Sequence, residues 1–282
     1  MSSPPEDIVD AIQVFHGLRY FSVVPFIVVA FNYLLTLPDE IEMIWANRNA
    51  NWKSKVVFFA NRYPPLAVLA VIVYIFSGTS SELTTAVCQT FLWVYGVAAV
   101  IVGALSHFVI IVRVHRLWDG RKHIEQLLTA MFVVCISTAS ILGIIAVLRL
   151  QPQLSYLSFL HTCQFGPTKP KEITGFLAVL SFFDFSLILF VIFNAMDRPR
   201  LAHVQIVSDL QKDGMGFFLA MFTLRFVDVL VSIYRDTVEV VLAVTAVWGL
   251  CTLINAHLHI RLEALAQSRS NGSVVMWEDM DY

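Results

Sequence analysis

Charge is what this sequence has least of. Asp, Glu, Lys and Arg make up 14% of its 282 residues, against roughly a quarter in soluble domains. With 57% hydrophobic residues and a mean hydropathy of +0.72, that deficit excludes an ordinary soluble domain. The net charge is −2, so no basic excess argues for nucleic acid as a partner. The four cysteines show no Cys-x-x-Cys spacing, which leaves no zinc or thiol-redox motif. All six lysines (Lys53, Lys55, Lys122, Lys169, Lys171, Lys212) fall outside the long apolar runs. A retinal Schiff base in the last span is thereby excluded, and light-driven pumps with it. No internal repeat of the kind that builds many transporters is evident.

What remains is apolar sequence in long blocks. A membrane helix needs about 20 mostly apolar residues, and seven windows qualify: Leu18–Leu37, Val56–Phe76, Thr85–Val112, Leu127–Leu148, Ile173–Met196, Gly214–Ile233 and Val238–Ala256. The runs are long and do not alternate, and open sheet edges cannot sit in lipid, so helices are expected. The first run follows an acidic segment (Glu6, Asp7, Asp10) without Lys or Arg. A secretory signal wants a basic start and a cleavage site, so the run is expected to stay as a span. The fold class expected is an all-α membrane protein, a seven-transmembrane-helix bundle. It divides into a tail over 1–17, the bundle over 18–257 and a second tail over 258–282.

Lys and Arg in short loops set orientation. Loop 1 (Arg48, Lys53, Lys55), loop 3 (Arg113, Arg116, Arg121, Lys122), loop 5 (Arg198, Arg200, Lys212) and the C-terminal tail (Arg261, Arg269) carry twelve on one side. Arg19, Arg149, Lys169, Lys171 and Arg235 make five on the other. The N-terminus is therefore expected outside and the C-terminus in the cytosol, which leaves the sequon Asn271-Gly272-Ser273 inside and unused.

The polar hairpin between the first two spans is the most distinctive stretch, within residues 18–76. It reads Tyr33-Leu34-Leu35-Thr36-Leu37, then Pro38-Asp39-Glu40-Ile41-Glu42, Trp45, and Asn61-Arg62-Tyr63-Pro64-Pro65. It resembles the N-terminal signature of a large fungal, chiefly basidiomycete, family of multi-spanning membrane proteins carrying a domain of unknown function (6533). The matching positions are Tyr33, Leu35, Thr36, Glu40, Glu42, Trp45, Asn61, Arg62 and Tyr63, while Phe31-Asn32 stands where the family usually has Tyr-Asp. Arg113-Val114-His115-Arg116-Leu117-Trp118 is similar to that family's Arg-x-x-x-Leu-Trp segment. Lys212-Asp213-Gly214 with Phe217-Phe218 is similar to its Arg-Asp-Gly and aromatic motif. The resemblance implies a multi-spanning architecture and no biochemistry.

Several local expectations follow from the residues themselves. Pro64 and Pro65 cannot donate, so a kink is expected in the second span, with Arg62 reaching outward to the interface; a hinge is the functional alternative. Asp213 is expected to cap the sixth span. Cys135, Ala139 and Gly143 in the fourth span, and Thr245, Gly249, Thr252 and Ala256 in the seventh, form stripes of small residues for close helix packing. Leu258, Leu262 and Leu265 share a face beyond the seventh span and suggest a short interfacial helix. The end of the tail is expected to be polar and mobile.

Candidate chemistry is sparse. His107 lies in the third span, and His257 and His259 follow the seventh at a spacing that turns them apart. No metal site, cofactor or enzymatic activity is expected, and His107 reads as a packed or hydrogen-bonded residue. Asp184, Arg225 and Asp228 are different, because charge in mid-span is costly in lipid and normally faces a bundle interior. Asp184 and Arg225 share a depth near the midplane, and Arg225 and Asp228 share a helix face, so the three are expected to form a buried polar cluster. Cys88 and Cys163 both face the oxidising side in this topology and are expected to pair, two free thiols being the alternative. Such a bond would pin an outer loop over the bundle mouth, as in many seven-helix receptors, which is a resemblance.

The activity expected on these grounds is receptor- or sensor-like. A transporter or channel using the mid-membrane charges is the alternative, as is a structural membrane subunit. Expected partners are the lipid bilayer, a small-molecule or peptide ligand, and a cytosolic effector at loops 1, 3 and 5. Plasma membrane and endomembrane both fit.

Overall fold

The computed structural model describes residues 6–46, 52–77, 83–117, 122–157, 161–166, 171–197 and 205–278. Helices dominate: α1 (Glu6–Leu35), a short α2 (Leu37–Glu40) leading into a π turn (Ile41–Trp45), α3 (Trp52–Phe76), α4 (Thr85–Leu117), α5 (Lys122–Leu150), α6 (Lys171–Asp197), α7 (Gln205–Tyr234) and α8 (Thr237–Glu278). Helices α3 to α8 each contain a stretch long and apolar enough to cross a membrane; α1 with α2 and the π turn makes a seventh if the bent pair counts as one span. The protein is thus a multi-pass membrane protein built as an all-α bundle.

The bend in the first span has a local cause. Pro38 lacks the N–H that would continue α1, and its ring crowds the carbonyl four residues back. Within the first turn of a new helix the same proline is harmless. So α1 stops at Leu35, α2 starts at Leu37, and the two lie 56° apart. The consequence is directional: Glu40 and Ile44 turn into the bundle while Leu37, Ile41 and Trp45 stay exposed.

Sequence neighbours pack side by side from α3 to α8, and α1 closes the ring against both α3 and α8. One apolar cluster, including Ile72, Phe91, Leu150 and Phe165, fills the end near the α5–α6 connection. A second, including Ile110, Leu128, Phe183 and Met221, fills the opposite half. The small-residue stripes lie where helices meet. Thr245, Thr252 and Ala256 are buried in α8, and a Cβ at Gly249 would come 3.2 Å from Val29 Cγ2 of α1. In α5, Cys135 and Ala139 are buried, and a Cβ at Gly143 would lie in ordinary contact with Val100 and Phe176. Aliphatic and aromatic side chains such as Val134, Ile141 and Phe182 cover the outside, as expected of a lipid-facing surface.

The α5–α6 connection holds an antiparallel hairpin, β1 (Leu154–Leu157) with β2 (Thr162–Phe165), in the register Leu154↔Phe165 and Tyr156↔Cys163. The disulfide expected between Cys88 and Cys163 is present and ties β2 to the start of α4. Gln89 Nε2 and Trp93 Nε1 donate to the carbonyl and the side-chain Oε1 of Gln151 at 3.3 and 3.2 Å. Thr162 Oγ1 donates to the Ile75 carbonyl at 3.3 Å. The α5–α6 connection is therefore fastened to α3 and α4 by these four contacts.

Two local expectations are corrected. Helix α7 begins at Gln205, so Asp213 falls inside it and not at its start; a cap signal is local, and a helix propagates through it when the preceding residues are also helical. Helix α8 continues unbroken to Glu278, so no separate helix starts at residue 258. Pro64 and Pro65, where a kink is expected, lie inside the continuous helix α3. The basic residues Arg48, Arg121, Arg198 and Arg200, residues 1–5 and the last four residues lie outside the described residues, as do the side chains of Lys53, Arg113, Arg116 and Lys212.

Candidate functional site

Among the described residues, two groups of charged side chains are buried in the bundle. The first lies at the corner where α1, α2 and α3 meet. Arg62 Nε of α3 stands 2.9 Å from Glu40 Oε2 of α2, with 1% and 0% of the side chains exposed. Arg62 Nη2 donates to Thr36 Oγ1 at 2.7 Å and to the Tyr33 carbonyl at 3.1 Å. The Tyr33 hydroxyl returns a bond to the Arg62 carbonyl. Glu40 Oε1 accepts from Trp45 Nε1 at 2.8 Å and from the Tyr63 hydroxyl at 2.6 Å. The guanidinium also lies over the Tyr33 ring, 4.3 Å from its centroid.

This overturns the expectation that Arg62 reaches outward. The bend at Pro38 swings Glu40 inward to face it, and a desolvated arginine with a carboxylate, two oxygen acceptors and an aromatic face has less to gain from the interface. Of the signature positions, Tyr33, Thr36, Glu40, Trp45, Arg62 and Tyr63 converge on this one assembly. Asn61 is buried beside it and donates to the Val57 carbonyl at 3.2 Å. Leu35 and Glu42 are exposed and take no part.

The second group lies deep in the bundle. Arg225 Nη1 of α7 stands 3.2 Å from Asp184 Oδ2 of α6, the side chains being 11% and 4% exposed. The same Nη1 contacts His107 Nε2 of α4, and that nitrogen stands 3.2 Å from Asp184 Oδ1. His107 Nδ1 bonds the Gly103 carbonyl at 2.7 Å, which makes Nδ1 the protonated nitrogen and leaves Nε2 to accept from Arg225. Cys251 of α8 adjoins the guanidinium.

Of the three residues expected to cluster, Asp184 and Arg225 meet directly. Asp228 is buried one turn from Arg225, and its Oδ1 has no hydrogen-bond partner. No ion pair among the described residues includes it, because the guanidinium reaches across to α6 and α4. Sequence reasoning missed His107 as a member. The signal was there, a histidine within an apolar run, but only the placement of α4 beside α6 turns it into a partner.

Lesser polar pairs join α4 to α8: the Tyr95 hydroxyl with Thr245 Oγ1 at 3.2 Å, and Asn255 Nδ2 donating to Ser106 Oγ at 2.6 Å. Between these helices and α5 and α6, on the hairpin side of the cluster, lies an apolar cavity of about 70 Å³ lined by residues including Tyr95, Gly96, Gly143, Val147, Phe176 and Val241. That is well below the roughly 300–1,000 Å³ of ordinary ligand pockets. Among the described residues, no three His, Cys, Asp or Glu side chains are placed to hold a metal ion. His257 Nε2 stands 3.1 Å from Asn32 Nδ2, and the His259 ring packs on Phe58.

No curated protein matches the chain. Residues 20–67, which include Tyr33, Thr36, Glu40, Trp45, Arg62 and Tyr63 of that corner, match the family of unknown function DUF6533.

Proposed function

We propose that this membrane protein is receptor- or sensor-like and not an enzyme. In this reading it takes a small-molecule or peptide ligand on the hairpin side and meets a cytosolic effector at the basic loops on the opposite side. The observation that carries the reading is the state of the mid-bundle charges. Arg225, Asp184 and His107 come from three helices, engage one another, and are almost wholly buried. Charges held in this way tie α4, α6 and α7 into one arrangement that a second arrangement must break, which is what a two-state switch requires. The fastened hairpin adds a rigid rim at the end where the ligand would enter. Orientation rests on the twelve-to-five charge asymmetry, with the N-terminus outside.

A transport reading draws support from one observation, the buried Asp228 without an ion-pair partner, because intramembrane acids mark ion pathways. Reconstitution separates the two. The sensor reading expects ligand-dependent recruitment of a cytosolic partner by the full chain in nanodiscs, and no solute or charge flux in proteoliposomes. Flux that Arg225→Ala or Asp228→Asn abolishes would overturn it in favour of transport.

A further inference from the structure

Three acidic side chains are buried among the described residues: Glu40, Asp184 and Asp228. Glu40 faces Arg62 at 2.9 Å and Asp184 faces Arg225 at 3.2 Å. Asp228 is only 3% exposed, yet its Oδ1 bonds to nothing and no ion pair reaches it. Burying an ionised carboxylate without a partner is among the most costly arrangements a protein can adopt, and such groups neutralise instead.

Among the described residues, the surroundings offer no second cation. The groups facing Asp228 electrostatically are Arg225 on its own helix, Tyr95 on α4 and Cys251 on α8, with Asp184 and His107 just beyond the guanidinium. Arg225 is already engaged by Asp184 and His107. His107 gives its Nδ1 proton to Gly103, and its Nε2 lies between a guanidinium N–H and Asp184 Oδ1 at 3.2 Å; Arg225 already supplies the cation that faces Asp184, which leaves Nε2 to accept from the guanidinium. His107 is therefore neutral. The cluster then holds two carboxylates against one guanidinium, an excess of one negative charge inside the span.

We infer that Asp228 is a proton-binding site: its carboxylate takes one exchangeable proton from water, which cancels that excess and leaves the α4–α6–α7 cluster neutral. A metal cation would need several oxygen ligands, whereas a proton needs only the free Oδ1. Release of the proton restores an unpaired negative charge beside Arg225 and competes with Asp184 for the guanidinium. Proton occupancy is thereby coupled to the contact that holds α6 to α7. The assignment is independent of whether the protein senses or transports.

The test is infrared difference spectroscopy of the full chain in nanodiscs at neutral pH, reading the C=O stretch of a protonated carboxylic acid. The wild type should show such a band, displaced in heavy water, and Asp228→Asn should lose it while folding normally, since the amide mimics the neutral acid. Should Asp228→Asn fail to fold, Asp228→Glu should keep the band at a changed frequency. Absence of the band in the wild type, its survival in Asp228→Asn, or an unchanged frequency in Asp228→Glu would overturn the assignment. So would a band that sodium titration removes at constant pH, which would indicate a metal cation in the proton's place.

Discussion

Arg62 and Arg225 lie deep within the spans, and each is met by a carboxylate from a different helix. Arg62 is the more fully satisfied, with Glu40, Thr36, the Tyr33 carbonyl and an aromatic face around it. Removing one member of a buried ion pair leaves the other charged and unsolvated, at a cost of about 3–5 kcal/mol. Arg62→Met is therefore expected to lower the melting temperature in detergent strongly, and Glu40→Leu added to it should recover much of the loss. Equal melting temperatures for wild type and Arg62→Met would show that the corner is not a stabilising contact. Arg225 permits a harsher exchange. Arg225→Asp places two acids face to face and should destabilise the bundle, while Asp184→Arg in the same chain should partly rescue it. Melting curves that the single substitution leaves unmoved would mean that these groups face water or headgroups.

The hairpin β1–β2 is the element whose attachment the sequence announces least. Its strands have four residues each, too short for periodicity to register, and they lie in a connection that reads as loop. Its anchorage comes from the disulfide and from contacts to α3 and α4. Cross-linking residues 75 apart constrains the unfolded chain, typically by about 2–4 kcal/mol. Cys88→Ser with Cys163→Ser is expected to lower stability by that order and to make the connection more sensitive to protease, while the helices persist. Mass spectrometry of non-reduced peptides should find the Cys88–Cys163 pair. Quantitative alkylation of both thiols without reductant would exclude the bond.

At the scale of the whole molecule, the ring order α1-α3-α4-α5-α6-α7-α8 matters most, because it sets α4, α6 and α7 where their charges can meet. It also separates the α1–α3 corner, at Arg62 in the first half of α3, from the β hairpin, at Ile75 near its end. With twelve basic residues in the loops and tail on the corner side and five on the hairpin side, the expected orientation turns the corner toward the cytosolic face. External protease on intact cells should cleave an N-terminal tag and spare a C-terminal one. The reverse pattern would invert the topology, and with it the side proposed for the ligand.

The sequence by itself determined the architecture. Long apolar blocks separated by polar segments admit only helices in lipid, so the positions of the spans, the mid-span depth of Asp184 and Arg225, and the small-residue faces of α5 and α8 were all legible from local order. The pairing of Cys88 with Cys163 was legible from loop topology. What only the tertiary structure decided is which polar groups meet. Nothing near Arg62 in sequence says that a bend at Pro38 turns Glu40 toward it, and nothing near His107 says that α4 sets it against Arg225. Asp228 looked like a natural partner for Arg225 at i, i+3, yet the guanidinium spans the gap to α6 and leaves it alone. Spacing along one helix fixes which residues share a face. The rotation and neighbours of the other helices fix what that face touches, and those follow from packing the whole bundle at once.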